Sequence, residues 1–275
     1  MKYSDGLQST RKDDGIDRCL LAAIAPGNDE GYEFLKQCFS MVKVKKGKVY
    51  SCSDLKVNNT TVGIMSHSAR YPCHGCHWKN GTEEDQCELR TFEGIRAYHE
   101  AWVQSGSDPS KLKEYFNCRN KPLDIFPETG IVILLVPPSS LHLKIGIVNL
   151  LWDGMVDVFP GGAEWATQVH ITKAAFFGGH FQGRQCDKLL STVSVLKQIV
   201  EADVTPRATR SSASSTPTHP AQPFIRAFED LSAVVKACFG FSLADDYVAK
   251  IQKFKSSFGE TGFNARDMNN EQVFS

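Results

Sequence analysis

The strongest local signal for chemistry in this sequence is the tetrapeptide Cys73-His74-Gly75-Cys76. Two cysteines three positions apart on a turn bring both sulfurs to one side, as a zinc ion requires. A tetrahedral zinc site needs four ligands, and the sequence has no second pair with this spacing, so a pair of buried or idle thiols in a turn stays an open alternative. The other candidate ligands nearby are His67, His74, His77 and Cys87.

Asp54 is the carboxylate best placed for metal chemistry. Residues 48–57 begin with alternating apolar and polar positions and predict a strand, with Asp54 near its carboxyl end. In open α/β sheets that end faces the ligand crevice, where phosphoryl-transfer enzymes gather acids around two Mg²⁺ ions. A single Asp is also common as a solvated or helix-capping residue, so this alternative stays open.

Two further features carry a weaker chemical meaning. His142 stands at the predicted start of a helix, where a packed or hydrogen-bonding histidine is the alternative to a functional one. The basic residues Lys43, Lys45, Lys46 and Lys48 form a predicted turn, which either contacts phosphate or is simply solvated.

The elements around Asp54 predict a small α/β unit at residues 19–72. An apolar run at 19–25 indicates a buried strand, and apolar positions at 32, 35, 39 and 42 indicate a helix before the second strand at 48–57. Strand, helix and strand at this spacing form a βαβ unit, which normally makes a parallel pair.

The rest of the chain predicts helices. Apolar residues at helical spacing indicate helices at 83–103, 140–158, 163–174 and 184–202, with a short strand or extended run at 131–136. Residues 205–223 are rich in Pro, Ser, Thr and Ala and are expected to be a disordered linker. The fold class is therefore α+β and predominantly α-helical. Its expected segments are a polar tail (1–18), the α/β piece (19–72), a helical domain with the cysteine pair (73–204), the linker (205–223), two C-terminal helices (224–260) and a second polar tail (261–275).

Composition limits the classes of partner. Lys plus Arg and Asp plus Glu both number 31 among 275 residues, so no global field attracts nucleic acid or an acidic membrane. The first 17 residues lack the apolar core of a signal peptide, and no apolar run approaches the roughly 20 residues needed to span a bilayer. We therefore expect an intracellular protein whose nine cysteines are reduced thiols.

Several short motifs, in order, resemble those of transposon-derived proteins related to Transib-type transposases and to the large subunit of the V(D)J recombinase. The family pattern PCxxC … LRT … PPxxLHLxxGxxN is matched at residues 72–76, 89–91 and 137–149, and a later glycine and helix start is matched at 183–190. The resemblance covers residues 19–190. It implies a ribonuclease H-like fold in which three separated acids bind two metal ions, with a zinc-bearing helical insertion between the second and third acids.

The resemblance also implies roles for individual residues. Asp54 matches the second acid of the catalytic triad, Cys73 and Cys76 match two zinc cysteines, and His142 matches a histidine of the insertion domain. The family's first and third acids and its two zinc histidines have no counterpart here, and His77 is a candidate to complete the zinc site.

We therefore expect a fragment of a DDE-type DNA transposase core that is catalytically inactive, nuclear if expressed, and free of membrane contact. The expected cofactor is zinc at an incomplete site, whereas Mg²⁺ would be ancestral and not bound. DNA binding would be weak, and homo-oligomers are a further expectation. The alternatives are a non-enzymatic, zinc-stabilised helical module that binds protein or DNA, and an active metal-dependent nuclease or transposase with rearranged acids.

Overall fold

The computed structural model describes residues 31–42, 49–51, 53–65, 69–82, 87–173, 179–208, 219–239 and 243–263, and within these ranges the chain is predominantly α-helical. The described ranges contain no strand, only isolated antiparallel bridges. The predicted strand at 19–25 lies outside them. The α-helices are α1 (Tyr32–Val42), α2 (Leu55–Val62), α3 (Phe92–Gln104), α4 (Ser140–Val158), α5 (Glu164–Gln168), α6 (Gly183–Ser191), α7 (Val193–Ala208), α8 (Gln222–Cys238) and α9 (Tyr247–Glu260), and 3₁₀ turns span Pro109–Tyr115, Val132–Leu134 and Pro160–Ala163.

The predicted strand at 48–57 is wrong at its second half, because α2 begins at Leu55. Asp54 is the N-cap of this helix, and its side chain accepts a hydrogen bond from the Val57 amide at 2.7 Å. An Asp in this position satisfies one of the amides that a helix leaves unpaired at its start. Local capping therefore outweighs the weak alternation that indicated a strand.

Two other predicted elements take a different form around the cysteine pair. Helix α3 begins at Phe92, with Thr91 as its N-cap, and the residues from 87 to 91 are not helical. The extended run predicted at 131–136 is largely the 3₁₀ turn Val132–Leu134, although Ile131 forms a bridge with Thr91.

The C-terminal half of the described chain packs around α4, whose prediction is confirmed. Ser139 caps the helix, and Val148, Leu151, Trp152 and Met155 are buried at helical spacing. Helices α6, α7 and α8 close this core, and α9 packs on α8.

The single helix predicted at 184–202 is instead two helices. The break falls at Thr192, whose carbonyl accepts a hydrogen bond from the Trp165 indole at 3.0 Å. Helix α7 then continues to Ala208, four residues into the segment predicted as a linker, and residues 209–218 lie outside the described ranges.

A second, separate core holds the N-terminal elements. The loop carrying the two cysteines lies over this core. Its most deeply buried members are Val62, Phe92, Cys118, Phe126, Val132 and Val136. None of the helices described in these ranges is both long enough and apolar enough to cross a bilayer.

Candidate metal centre

The loop that carries Cys73 and Cys76 is paired with the segment just before α3. Cys76 forms an antiparallel bridge with Leu89, and the Arg90 amide donates to the Gly75 carbonyl at 2.9 Å. This pairing holds the segment of Cys87 against the loop.

The side chains of three cysteines follow one another in a row. The Cys73 side chain interacts with that of Cys76, and the Cys76 side chain also interacts with that of Cys87. The hydrogen-bonding interaction with Cys76, together with burial, raises the pKa of Cys73, whereas the same interaction lowers the pKa of Cys76. Of the additional candidate ligands that lie within the described ranges (His74, His77 and Cys87), Cys87 is the one whose side chain interacts with the pair.

Arg90 lies beneath this row and is fully buried. Its Nε donates to the carbonyls of Cys73 (2.8 Å) and Cys76 (3.0 Å). Its Nη2 donates to the carbonyls of Tyr71 (3.2 Å) and Phe116 (2.9 Å), so one guanidinium joins its own segment to residues 71–76 and to Phe116.

Among the described residues, no carboxylate is ion-paired with Arg90. Burial lowers the pKa of its guanidinium, and the side chains of Cys118, Cys73 and Cys76 oppose that effect in their charged, thiolate form. A buried cation without a carboxylate is costly unless other negative groups compensate it. In the sequence, Arg90 stands out only as part of the motif at residues 89–91, and no local pattern there indicates that its side chain is buried.

The two histidines of the loop have different surroundings. His74 is buried, and its Nε2 lies 2.8 Å from the Val136 carbonyl, while burial lowers its pKa to about 4. The His77 ring stacks on Phe116 with the centroids 4.2 Å apart, and its Nδ1 lies 3.3 Å from a carboxylate oxygen of Glu88.

As the side chains stand, the described residues contain no group of three or more His, Cys, Asp or Glu arranged as a finished metal site. The three sulfurs form a hydrogen-bonded row, and coordinating one ion would require each thiol to lose its proton and turn towards a common centre. The donor types fit zinc, which favours thiolates and imidazoles, and do not fit Mg²⁺, which favours oxygen.

Asp54 and His142 belong to helix starts and are not part of this row. Asp54 caps α2, and His142 lies in the first turn of α4 with its Nδ1 2.9 Å from the Ser139 hydroxyl. His142 does share the lining of a small cavity with His74 and Leu55. The basic residues 43–48 and His67 lie outside the described ranges.

Comparisons of the chain with protein-family models, with curated proteins and with solved structures give no match. The functional interpretation therefore depends on the geometry of the loop and on the sequence motifs.

Proposed function

We propose that the chain is a transposon-derived, non-enzymatic helical module whose N-terminal core is stabilised by zinc. The observation that carries this proposal is the row of Cys73, Cys76 and Cys87 above the buried Arg90.

Charge compensation supports zinc at this place. Zn²⁺ bound by three thiolates and one neutral imidazole has one net negative charge. The Arg90 guanidinium lies directly below with carbonyls as its main partners, so it would neutralise that charge inside the core. Three neutral thiols offer Arg90 no such compensation.

His77 is our candidate for the fourth ligand. It follows Cys76 directly, and its Nδ1 is within reach of the Glu88 carboxylate. Histidines that bind metal commonly donate their other ring nitrogen to a carboxylate, which leaves Nε2 as the donor to the metal.

A transposase-core origin is supported by the order of the motifs at residues 72–76, 89–91 and 137–149. The finer expectation of a ribonuclease H-like βαβ piece belongs to this proposal and lacks support from residues 55–57, which are helical.

Asp54 satisfies a helix amide, and one carboxylate cannot hold two Mg²⁺ ions, so we expect no strand cleavage. DNA contact would be weak and salt-sensitive, because the net charge is zero. Homo-oligomers remain part of the proposal.

The test is metal analysis of the purified full chain together with two single variants. We expect one zinc per chain in the wild type and its loss in Cys73→Ser and Cys87→Ser. Cys238→Ser is the matched control, because Cys238 is a free cysteine on α8 in the other half of the described chain. Wild-type protein without zinc, or zinc retained in Cys73→Ser, would reject the proposal.

A cleavage assay tests the expected lack of activity. Wild type and Asp54→Ala, incubated with DNA and Mg²⁺ or Mn²⁺, should show the same background. Cleavage that depends on Asp54 would favour the alternative of an active nuclease.

A further inference from the structure

The chain bends at His74 and Gly75, and this bend brings the two cysteines on either side of it together. The Arg90 Nε donates to the carbonyls of both Cys73 and Cys76, at 2.8 Å and 3.0 Å, so both residues fold back onto one nitrogen atom. Their side chains also interact with each other, and both are free cysteines. The ends of a four-residue turn have Cα atoms within about 7 Å, which is the range in which a disulfide can close.

Cys87 meets Cys76 in a different way, across the short antiparallel pairing. Cys76 lies opposite Leu89, so Cys87, two residues before Leu89, is the diagonal neighbour of Cys76. Diagonal neighbours have Cα atoms about 7–8 Å apart, which is beyond the usual span of a disulfide. Oxidation should therefore join Cys73 to Cys76 and leave Cys87 as a thiol.

Access from solvent distinguishes this pair from the deeper cysteines. Cys118 and Cys186 are 0% exposed, whereas Cys73 and Cys76 are only half-buried, so a dissolved oxidant can reach the pair. A disulfide that closes a loop of four residues stabilises a fold less than one that closes a long loop, and partly exposed disulfides are the more easily reduced ones. A bond at this place is therefore suited to form and break in response to the surrounding thiols.

The consequence for the metal rests on the proposed function, in which Cys73 and Cys76 are two of the four zinc ligands. Zinc binds thiolates, and a sulfur in a disulfide carries no negative charge to offer it. The disulfide and the zinc ion therefore exclude each other. Oxidation also removes two of the thiolates that would compensate the buried Arg90 guanidinium.

We propose that Cys73 and Cys76 form a reversible disulfide by exchange with a small disulfide such as oxidised glutathione, and that this releases the zinc ion. One cysteine sulfur attacks a sulfur of the small disulfide, whose S–S bond breaks, and the first reduced glutathione leaves. The second cysteine sulfur attacks the mixed disulfide, forms the Cys73–Cys76 bond and releases the second reduced glutathione.

Electrons and protons balance in this exchange. Two electrons pass from the cysteine pair to the small disulfide, which is reduced to two thiols. In the metal-free chain, the two thiol protons of the cysteines end on the two released glutathiones. In the zinc-bound chain, Zn²⁺ leaves and the released glutathiones take their protons from water.

The test follows the peptides of the full-length wild type. Trypsin leaves Cys73 and Cys76 together in the peptide of residues 71–79, and Cys87 in the peptide of residues 80–90. Chelator-treated protein would be incubated with oxidised glutathione, alkylated with N-ethylmaleimide, digested without reduction and analysed by mass spectrometry. We expect the 71–79 peptide to lose both alkylation sites and to be lighter by the two thiol hydrogens. Dithiothreitol added before alkylation should restore both sites.

A second arm uses the same protein loaded with zinc. We expect the disulfide to form more slowly than in the metal-free chain, with the loss of one zinc ion for each disulfide, followed with a zinc-sensitive dye. Cys238→Ser is the matched control and should give both results as the wild type does, because Cys238 is a free cysteine on α8. The main readout is made on the wild type, so it does not depend on a variant folding.

Three results would overturn the inference. Both cysteines of the 71–79 peptide could remain open to alkylation, glutathione could stay attached to one of them, or the peptide could be cross-linked to the one that carries Cys87. Zinc binding without the disulfide would therefore reject this inference and leave the proposed function standing. A Cys73–Cys76 disulfide in a chain that binds no zinc would reject the proposed metal site and leave the disulfide established.

Discussion

The Arg90 side chain makes several of the hydrogen bonds that join the loops of the N-terminal core. Replacing it with Ala would leave the carbonyls of Cys73, Cys76, Tyr71 and Phe116 without this donor. We expect Arg90→Ala to lower the free energy of unfolding by about 3–5 kcal/mol, as loss of one partner in a buried charged network does. Urea unfolding measures the change.

The control for this prediction is an arginine whose interaction is exposed. Arg226 is ion-paired with Glu260, and both side chains are more than 40% exposed. Arg226→Ala should cost no more than about 1 kcal/mol. A similar loss of stability in both variants would contradict the structural role assigned to Arg90.

His74 makes the stability of the metal-free protein depend on pH. Burial holds its pKa at about 4 in the folded chain, below the ordinary value of about 6.5. The unfolded chain therefore binds more protons between these two values, so stability is complete above about pH 6.5 and falls as the pH is lowered towards 4.

The measurement is urea unfolding of the chelator-treated wild type and of His74→Gln at several pH values. The difference in unfolding free energy between them should change by up to about 3 kcal/mol over this window, following 1.36 kcal/mol per pKa unit. A difference that is constant with pH would contradict a buried, neutral His74.

At the scale of elements, the turn after α2 shows how backbone and packing act together. Gly63 ends α2 with a φ of +89°, and a Cβ there would overlap the Asn120 carbonyl. Gly106 also has a positive φ, +98°, but has open space around it. The two positions therefore separate backbone strain from a steric clash.

We expect Gly106→Ala to cost about 1–2 kcal/mol, the cost of the left-handed conformation for a residue with a Cβ. Gly63→Ala should cost clearly more, because the Asn120 backbone must also move. Thermal unfolding of the two variants gives the comparison. Equal costs would mean that the loop at 119–121 moves to accommodate the added Cβ at no measurable cost in free energy.

The sequence predicts correctly those helices for which the spacing of apolar residues and the capping residue indicate the same boundaries. Helix α4 has Ser139 as its cap after two prolines and four buried apolar residues at helical spacing, and it was predicted to within a residue. Residues 48–57 gave conflicting signals, since a weak alternation ran into a strong capping residue, Asp54, and the cap prevailed.

The site was only half predictable for a related reason. Sequence spacing identifies Cys73 and Cys76, because their proximity is local. It cannot choose among His67, His74, His77 and Cys87, because that choice depends on the pairing of Cys76 with Leu89 and on the burial of Arg90. Both are tertiary contacts that no local pattern encodes.

At the scale of the molecule, the described residues form two hydrophobic cores with the proposed metal site on one of them. The cysteine loop lies on the core of Phe92, Phe126 and Val132, whereas Trp165 and Phe228 belong to the core around α4. The links found between them include the Asn58 contact with the Pro137 carbonyl and the wall that Leu143 forms in an apolar cavity beside the cysteine loop.

The free energy of zinc binding stabilises the part of the chain that must be folded to form the zinc site. If the two cores unfold as separate units, chelation should reduce amide hydrogen-exchange protection in α3 and in residues 69–76, while α4 and α8 keep theirs. The Cys87→Ser variant should reproduce this pattern without chelator, and Cys238→Ser should not. Uniform loss of protection in α3, α4 and α8 would show instead that the links through Asn58 and Leu143 make the described chain one cooperative unit. In that case, metal binding at the cysteine loop would control the stability of the α4 core as well, because neither core could remain folded alone.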